Sequence, residues 1–367
     1  MKQVIYIAAI ILGITSLQSC NEKIDLTGGY EETAIVYGLL NQADSLQFIR
    51  INRAFIGPGS ALDIAQIADS NYFNQIDATI SEVLNGTTTR TWTLNDTIIE
   101  NKDENGVFFA PNQKLYYFAT PLNNPLNKDA VYKLNISVNN GSFNVTSETK
   151  LVSGLTSPLS ADFYKFEFAE NPHKFLQRTF SFSSGNSAIA NVTFKVKFLE
   201  FTSNTVSTMK SFNWRIGESP ANPNSTAPMK FPVNGQIFYE LLHQNISDNP
   251  SIIKRNLYSI SSVITGGSDE LYKYMLLNQP TSSLTQSKPS FTNLKATNGR
   301  KVIGLFTSRY TITKEKFFVN NSIEPIISNF QMMTAYSIEE MCRGIITGND
   351  LFCSQHVADI NKQYHCD

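Results

Sequence analysis

Hydrophobic and polar residues alternate with a period of two from Thr33 onward, which is the pattern of half-buried β-strands. The clearest run covers residues 132–138 and is followed by Asn140-Gly141, a pair typical of a type I′ hairpin because both turn positions need positive φ. Eight short strands within about 120 residues are typical of an immunoglobulin-like or transthyretin-like β-sandwich, which we place at 33–152. The predicted strands are 33–40, 45–53, 77–84, 89–94, 106–110, 115–119, 132–138 and 143–145.

A small, polar segment that ends in proline, residues 153–158, marks the predicted end of this sandwich. Residues 159–330 predict a second β-rich domain with two or three short helices. Its alternating runs, 164–168 and 192–198, carry Phe side chains on one face, which we expect to fill a core rather than to line a ligand groove. The best remaining elements are helices at 235–246 and 268–278, the second with Ser268 as N-cap, and strands at 256–264 and 302–306.

The first residues predict export and a lipid anchor. Residues 4–17 form an apolar run too short to span a bilayer and are typical of a secretory signal. Leu17-Gln18-Ser19-Cys20 resembles a bacterial lipobox, so we expect residues 1–19 to be removed, Cys20 to carry lipid and residues 20–32 to act as a tether. The alternative is an ordinary signal peptide with an incidental Cys. The acidic residues in 21–25 resemble the surface-export signal of Bacteroidota lipoproteins.

Composition narrows the classes of partner. The chain has 367 residues, of which 17% are charged and 41% hydrophobic, and its formal net charge is −1. The hydrophobic content supports a folded core, and the near-zero charge disfavours a nucleic-acid partner held by bulk electrostatics. We therefore expect the membrane contact to come from the lipid on Cys20, with no other cofactor.

One dense cluster of Cys and His occurs in a predicted tail at 331–367. Thiols in exported proteins usually oxidise, so the three Cys residues predict one disulfide, with three pairings possible. Free or intermolecular thiols are one alternative. A zinc site is the other, because thiolate and imidazole groups at this density could hold a tetrahedral ion. The residues of the cluster are Cys342, Cys353, His356, His365 and Cys366.

No catalytic signature is present in the sequence: it contains no H-E-x-x-H, G-x-S-x-G, P-loop or G-x-G-x-x-G motif. We therefore predict a protein without enzymatic activity. Asp44-Ser45-Leu46 and Asp96-Thr97-Ile98 fit a short pattern that resembles Bacteroidota O-glycosylation sites, which makes Ser45 and Thr97 candidate modification sites.

The order of several short segments resembles a family of uncharacterised Bacteroidota outer-membrane lipoproteins of the domain-of-unknown-function type. Members are often encoded beside TonB-dependent transporters, so the resemblance implies an outer-membrane location and a β-barrel partner. It supplies no catalytic residue, and the tail at 331–367 departs from the family's usual Cys-rich, Gly-rich ending with aromatic residues at its close. The segments are the lipobox, 35–51, Leu257-Tyr258-Ser259-Ile260-Ser261, Glu270-Leu271-Tyr272-Lys273-Tyr274, Phe291-Thr292-Asn293-Leu294 and Gly304-Leu305-Phe306.

These observations lead to two main functional hypotheses, and a hydrolase without a recognised motif is a third. The first is a non-catalytic, lipid-anchored accessory subunit of an integral outer-membrane complex, either a TonB-dependent transporter or an assembly or secretion machine, exposed at the cell surface rather than facing the periplasm. The second is a stand-alone surface lipoprotein that binds glycans or peptides, for which exposed aromatic residues such as Trp92 and Trp214 would be expected.

Overall fold

The computed structural model describes most of the chain downstream of the tether. Cys20 and the predicted signal and tether, apart from Glu32, lie outside the described residues. The described residues are 32–54, 60–100, 104–106, 108–160, 165–171, 173–223, 225, 227–278, 291–317 and 332–366.

The first region is built mainly from short antiparallel strands. The elements are β1 (Ala34–Leu40), β2 (Leu46–Arg53), α1 (Ala61–Ala65), β3 (Ile76–Leu84), β4 (Thr87–Thr93), β5 (Asn95–Glu100), β6 (Asn112–Ala119), β7 (Val131–Val138) and β8 (Phe143–Lys150). Between β2 and β3, a one-turn helix at Ala61–Ala65 is followed by a 3₁₀ turn at Ala68–Asn71.

The rest of the described chain has longer strands and three helices. The elements are β9 (Leu155–Thr156), β10 (Ala169–Asn171), β11 (Lys174–Phe175), β12 (Gln177–Ser184), β13 (Ile189–Phe201), β14 (Ser207–Pro220), β15 (Met229–Asn234), α2 (Gly235–Gln244), β16 (Lys254–Gly267), α3 (Asp269–Leu277), β17 (Lys295–Ala296), β18 (Val302–Phe317) and α4 (Ala335–Arg343), with 3₁₀ turns at Pro158–Ser160 and Val357–Asp359. The predicted mainly β class is confirmed.

A sheet of eight strands runs through both regions, in the order β14-β13-β16-β18-β1-β2-β6-β5. The first half of β18 pairs in parallel with β1, from Ala34 opposite Val302 to Leu40 opposite Ser308. Its second half pairs antiparallel with β16, ending at Ser259 opposite Phe317. A single strand therefore joins the first region to the second.

Two hydrophobic cores lie on either side of this junction. The first core fills the space between strands β1, β2 and β6 and a five-stranded sheet in the order β17-β8-β7-β3-β4. Leu294 and Phe306, which are far along the sequence, also pack into it. The second core contains Phe194 and Phe198 of β13, as expected for a run that fills a core, together with residues from α2 and α4.

Two predicted strands are wrong. The described part of 106–110 is bend and irregular chain, and the strand that pairs with β6 is β5, which ends before this segment. The described part of 164–168 forms no strand either: Phe166 makes one isolated bridge with Met333, although both Phe166 and Phe168 are fully buried. The alternation of hydrophobic and polar residues predicted the burial of these side chains correctly. The backbone there, however, pairs with the C-terminal residues instead of a neighbouring strand.

Candidate interaction site in the C-terminal module

We use the name C-terminal module for residues 332–366, which contain the predicted Cys and His cluster. A disulfide joins Cys353 to Cys366 across a Cα–Cα distance of 5.1 Å. Beside it, the backbone N–H of Cys366 donates to the carbonyl of Ser354 at 2.9 Å, and the N–H of Ser354 donates to the carbonyl of Tyr364 at 2.9 Å. One disulfide forms, as predicted, and the cross-link and these backbone bonds hold the two ends of the loop together.

Arg255 fastens the module to the large sheet. Its side chain and that of Glu200 are 5% and 2% exposed, and Nε of Arg255 donates to Oε1 of Glu200 at 2.9 Å. Nη1 of the same guanidinium donates to the carbonyl of Asp350 at 2.8 Å. The backbone of Arg255 also pairs with the module, through Leu351 at 2.7 Å and Cys353 at 3.0 Å. One buried cation thus links β13, β16 and the module.

Two buried polar side chains of helix α4 accept hydrogen bonds from the backbone of residues 168–173. The hydroxyl of Ser337 accepts from the backbone N–H groups of Phe168 at 2.8 Å and Ala169 at 3.1 Å. The carboxylate of Glu340, 1% exposed, accepts from the backbone N–H of His173 at 2.7 Å. Because an unpaired buried polar group is costly, these bonds fix both the position and the rotation of the helix.

The third thiol of the cluster, Cys342, is free and buried. Burial in the core raises the pKa of this thiol, and the nearby charge of Asp359 raises it further. The thiolate is the reactive form of cysteine, so this side chain is chemically quiet. Cys353 and Cys366 are bonded to each other, and among the described residues no group of three or more His, Cys, Asp or Glu could hold a metal ion.

The two His residues of the cluster, His356 and His365, make structural contacts in the described part of the chain. Nδ1 of His356 accepts from the backbone N–H of Ala358 at 3.2 Å and caps the 3₁₀ turn that follows. His365 lies in the isolated bridge with Ser354. Outside the cluster, Nδ1 of His243 lies 2.9 Å from Oδ2 of Asp350. These histidines support turns and contacts between segments.

The C-terminal module exposes several large apolar side chains. Large apolar side chains exposed at a protein surface mark binding sites when they are grouped rather than scattered. Five occur within these 35 residues, each 47–65% exposed: Tyr336, Ile345, Leu351, Val357 and Ile360. The Cys and His pattern of the tail does not point to them, because none of the five is a Cys or His. The sequence does show that several large apolar residues lie in this short segment.

A second apolar surface lies on the outer face of the large sheet. Leu46 and Phe48 of β2 are 46% and 39% exposed, and the ring of Phe48 lies 6.1 Å from that of Tyr117 on β6. The two Trp residues expected to provide such a surface do not form it. Trp214 is buried in the second core, and Trp92 is half-buried against Phe118.

The candidate modification sites differ in accessibility. Ser45 is exposed immediately before β2, whereas Thr97 is half-buried on β5. The candidate lipidation site, Cys20, lies outside the described residues. Among the described helices, none combines the length and apolar character needed to cross a lipid bilayer.

Comparison with known proteins does not assign this chain to a family. No protein-family model and no curated protein matches this chain. Its function is therefore argued from its own residues.

Proposed function

We propose that the protein is a lipid-anchored, non-catalytic interaction subunit of an integral outer-membrane complex, and that the C-terminal module is its main contact surface. The observation that carries the proposal is the set of five exposed apolar side chains on a module braced by the Cys353–Cys366 disulfide. A rigid surface loses little conformational freedom on binding, so its apolar contacts convert efficiently into affinity.

The type of partner is proposed from the sequence. The lipobox ending in Cys20 supports an anchor in a membrane, and an extended tether over 20–32 would span at most about 45 Å. This length keeps the folded body close to proteins embedded in the same membrane. A β-barrel of the TonB-dependent transporter class is the first-choice partner, and an assembly or secretion barrel is the second.

Purification from detergent-solubilised outer membranes tests this function. The full chain, tagged at an internal exposed loop, is expected to co-purify with a β-barrel protein in a stable ratio. A Cys20→Ala variant is expected to lose palmitate labelling and to recover much less of the barrel, because it no longer concentrates at the membrane. Recovery of the wild-type chain without any barrel would contradict the proposal.

A second candidate function, glycan or peptide binding, is favoured by the aromatic pair on the large sheet. Phe48 and Tyr117 offer ring faces at the surface, which is the chemistry that stacks on sugars and on apolar peptide side chains. Calorimetric titration of oligosaccharides into wild type and Phe48→Ala separates the candidates. Saturable binding that Phe48→Ala abolishes would favour the second function over the first.

A further inference from the structure

A small cavity lies between the start of β16 and the C-terminal module, with a volume of about 30 Å³. Apolar side chains such as Leu257, Met333 and Met341 form much of its wall. A cavity needs roughly 10–15 Å³, measured in this way, to hold a water-sized group. The space therefore accepts one small group and offers it few polar contacts.

Asn256 is one of the residues that line this cavity, and its side-chain oxygen is an acceptor. Its Nδ2 donates to the carbonyl oxygen of Cys353 at 2.9 Å. Because a carbonyl can only accept, this bond fixes which end of the amide faces the disulfide. The other end, Oδ1, is buried and has no hydrogen-bond partner among the described residues.

His356 is another residue of the lining, and its ring supplies a donor. The backbone N–H of Ala358 can only donate, so Nδ1 of His356 must carry the lone pair that accepts it at 3.2 Å. The proton of the neutral ring is therefore on Nε2. This atom is buried and also lacks a partner among the described residues, and the residue is only 6% exposed. Burial lowers the pKa of His356, which keeps the ring neutral despite the opposing effect of Asp359.

We propose that this cavity binds one hydroxyl group, which accepts a hydrogen bond from Nε2–H of His356 and donates one to Oδ1 of Asn256. A hydroxyl is the smallest group that both accepts and donates, and it satisfies two buried atoms that would otherwise each cost free energy. Water and a short aliphatic alcohol both supply this chemistry. The bound group connects the module to β16 beside the disulfide.

The same hydrogen bonds argue against a soft metal ion, although thioethers and an imidazole occur in the wall. A metal would need the lone pair of Nε2 on His356, and that atom carries the proton as long as Nδ1 accepts from Ala358. Binding a metal would thus break the cap of the turn at Val357–Asp359.

Nitrogen-15 NMR of the full chain tests the proposal. The side chain of His356 is expected in the Nε2–H form, with magnetisation transfer from this proton to water. Ethanol is then titrated: a saturable shift of the Nε2–H signal identifies an alcohol as a ligand, and no shift identifies water alone. Either result supports a hydroxyl site. A proton on Nδ1, or an Nε2–H signal with no transfer to water and no response to ethanol, would overturn it.

A matched pair of variants assigns the signal. His356→Asn keeps a side-chain oxygen that can cap the turn but has no group at the position of Nε2, so the transfer signal should disappear. His365→Asn, in the same module, should leave the signal unchanged. If His356→Asn fails to fold, the tautomer of His356 and the magnetisation transfer to water, both measured in wild type, still test the proposal.

Discussion

Arg255 and Glu200 form an ion pair inside the protein, with Nε of the guanidinium 2.9 Å from Oε1 of the carboxylate. Glu200 also accepts from the backbone N–H of Ser247 at 2.8 Å, and Arg255 donates to the carbonyls of Ser247 and Asp350. Both buried ions therefore make hydrogen bonds beyond the ion pair itself. The pair defines the position of the C-terminal module relative to the large sheet.

Arg255→Leu is expected to lower the free energy of unfolding by about 3–5 kcal/mol, because it leaves the carboxylate of Glu200 buried without its guanidinium. Urea denaturation measures this change. Arg215→Leu is the matched control: Arg215 is 70% exposed in a surface pair with Glu218, and its loss should cost less than about 1 kcal/mol. Equal effects of the two substitutions would show that the buried pair does not hold the module.

The stability of the first region should depend on pH through Glu82. Burial alone would raise the pKa of this carboxyl, but hydrogen bonds from Arg90, Tyr132, Thr89 and the backbone of Asn127 outweigh burial and lower it to about 2. A depressed pKa in the folded state stabilises the protein above the ordinary carboxyl pKa near 4.5. That stabilisation, roughly 3 kcal/mol, is lost as the pH falls from about 4.5 to about 2.

Unfolding experiments across this pH range check the effect. Glu82→Gln should be less stable than wild type at pH 7 and should lose less stability on acidification. Glu148→Gln, at an exposed position of β8, should follow the wild-type profile. An unchanged acid profile in Glu82→Gln would contradict the assignment.

Removing the disulfide should destabilise the module, and in the folded wild-type chain Cys342 should stay unreactive. The Cys353–Cys366 bridge spans 13 positions, and the loop-entropy model assigns such a bridge about 3 kcal/mol. A Cys353→Ser/Cys366→Ser double variant should unfold at correspondingly lower urea concentration. Peptide mass mapping should find residues 353 and 366 cross-linked in wild type and Cys342 alkylated only after unfolding. A cross-linked peptide containing Cys342 would contradict this pairing.

Gly304 tests the parallel pairing of β18 with β1. Its φ is +119°, and a Cβ placed there would lie 1.9 Å from the carbonyl oxygen of Val36. Gly304→Ala therefore requires the two strands to separate locally and should cost more than about 3 kcal/mol. Gly86→Ala is the control, since Gly86 also has positive φ but open space around it, and should cost about 1 kcal/mol. Thermal unfolding of both variants measures these losses of stability. Similar losses in the two variants would count against the pairing.

Local chemistry made several elements predictable. Ser268 precedes α3 and accepts from the N–H of Leu271 at 3.3 Å, as its residue type and the acidic first turn indicated. The hairpin between β7 and β8 contains Asn140 and Gly141 at positive φ, as the Asn-Gly pair indicated. In both cases the signal and the structure it specifies lie within a few residues of each other.

Long-range pairing was not predictable from one sequence. Val302 pairs with Ala34 across more than 260 positions, and periodicity carries no information about which strand is the neighbour. The tail contributes to the second core for the same reason, since Phe166 finds its backbone partner in Met333. The role of Arg255 was hidden because a charged residue at the start of a strand looks solvent-exposed until its partner, Glu200, is placed beside it.

The most direct test of the account is site-specific photo-crosslinking from the C-terminal module in intact outer membranes. A photoreactive side chain at Ile345 or Ile360 is expected to give an adduct with a β-barrel protein. The same group at Val206, which is 58% exposed at the β13–β14 hairpin, should give none. Absence of any adduct from the module, or an equal yield from Val206, would contradict the proposal that this module is the contact surface.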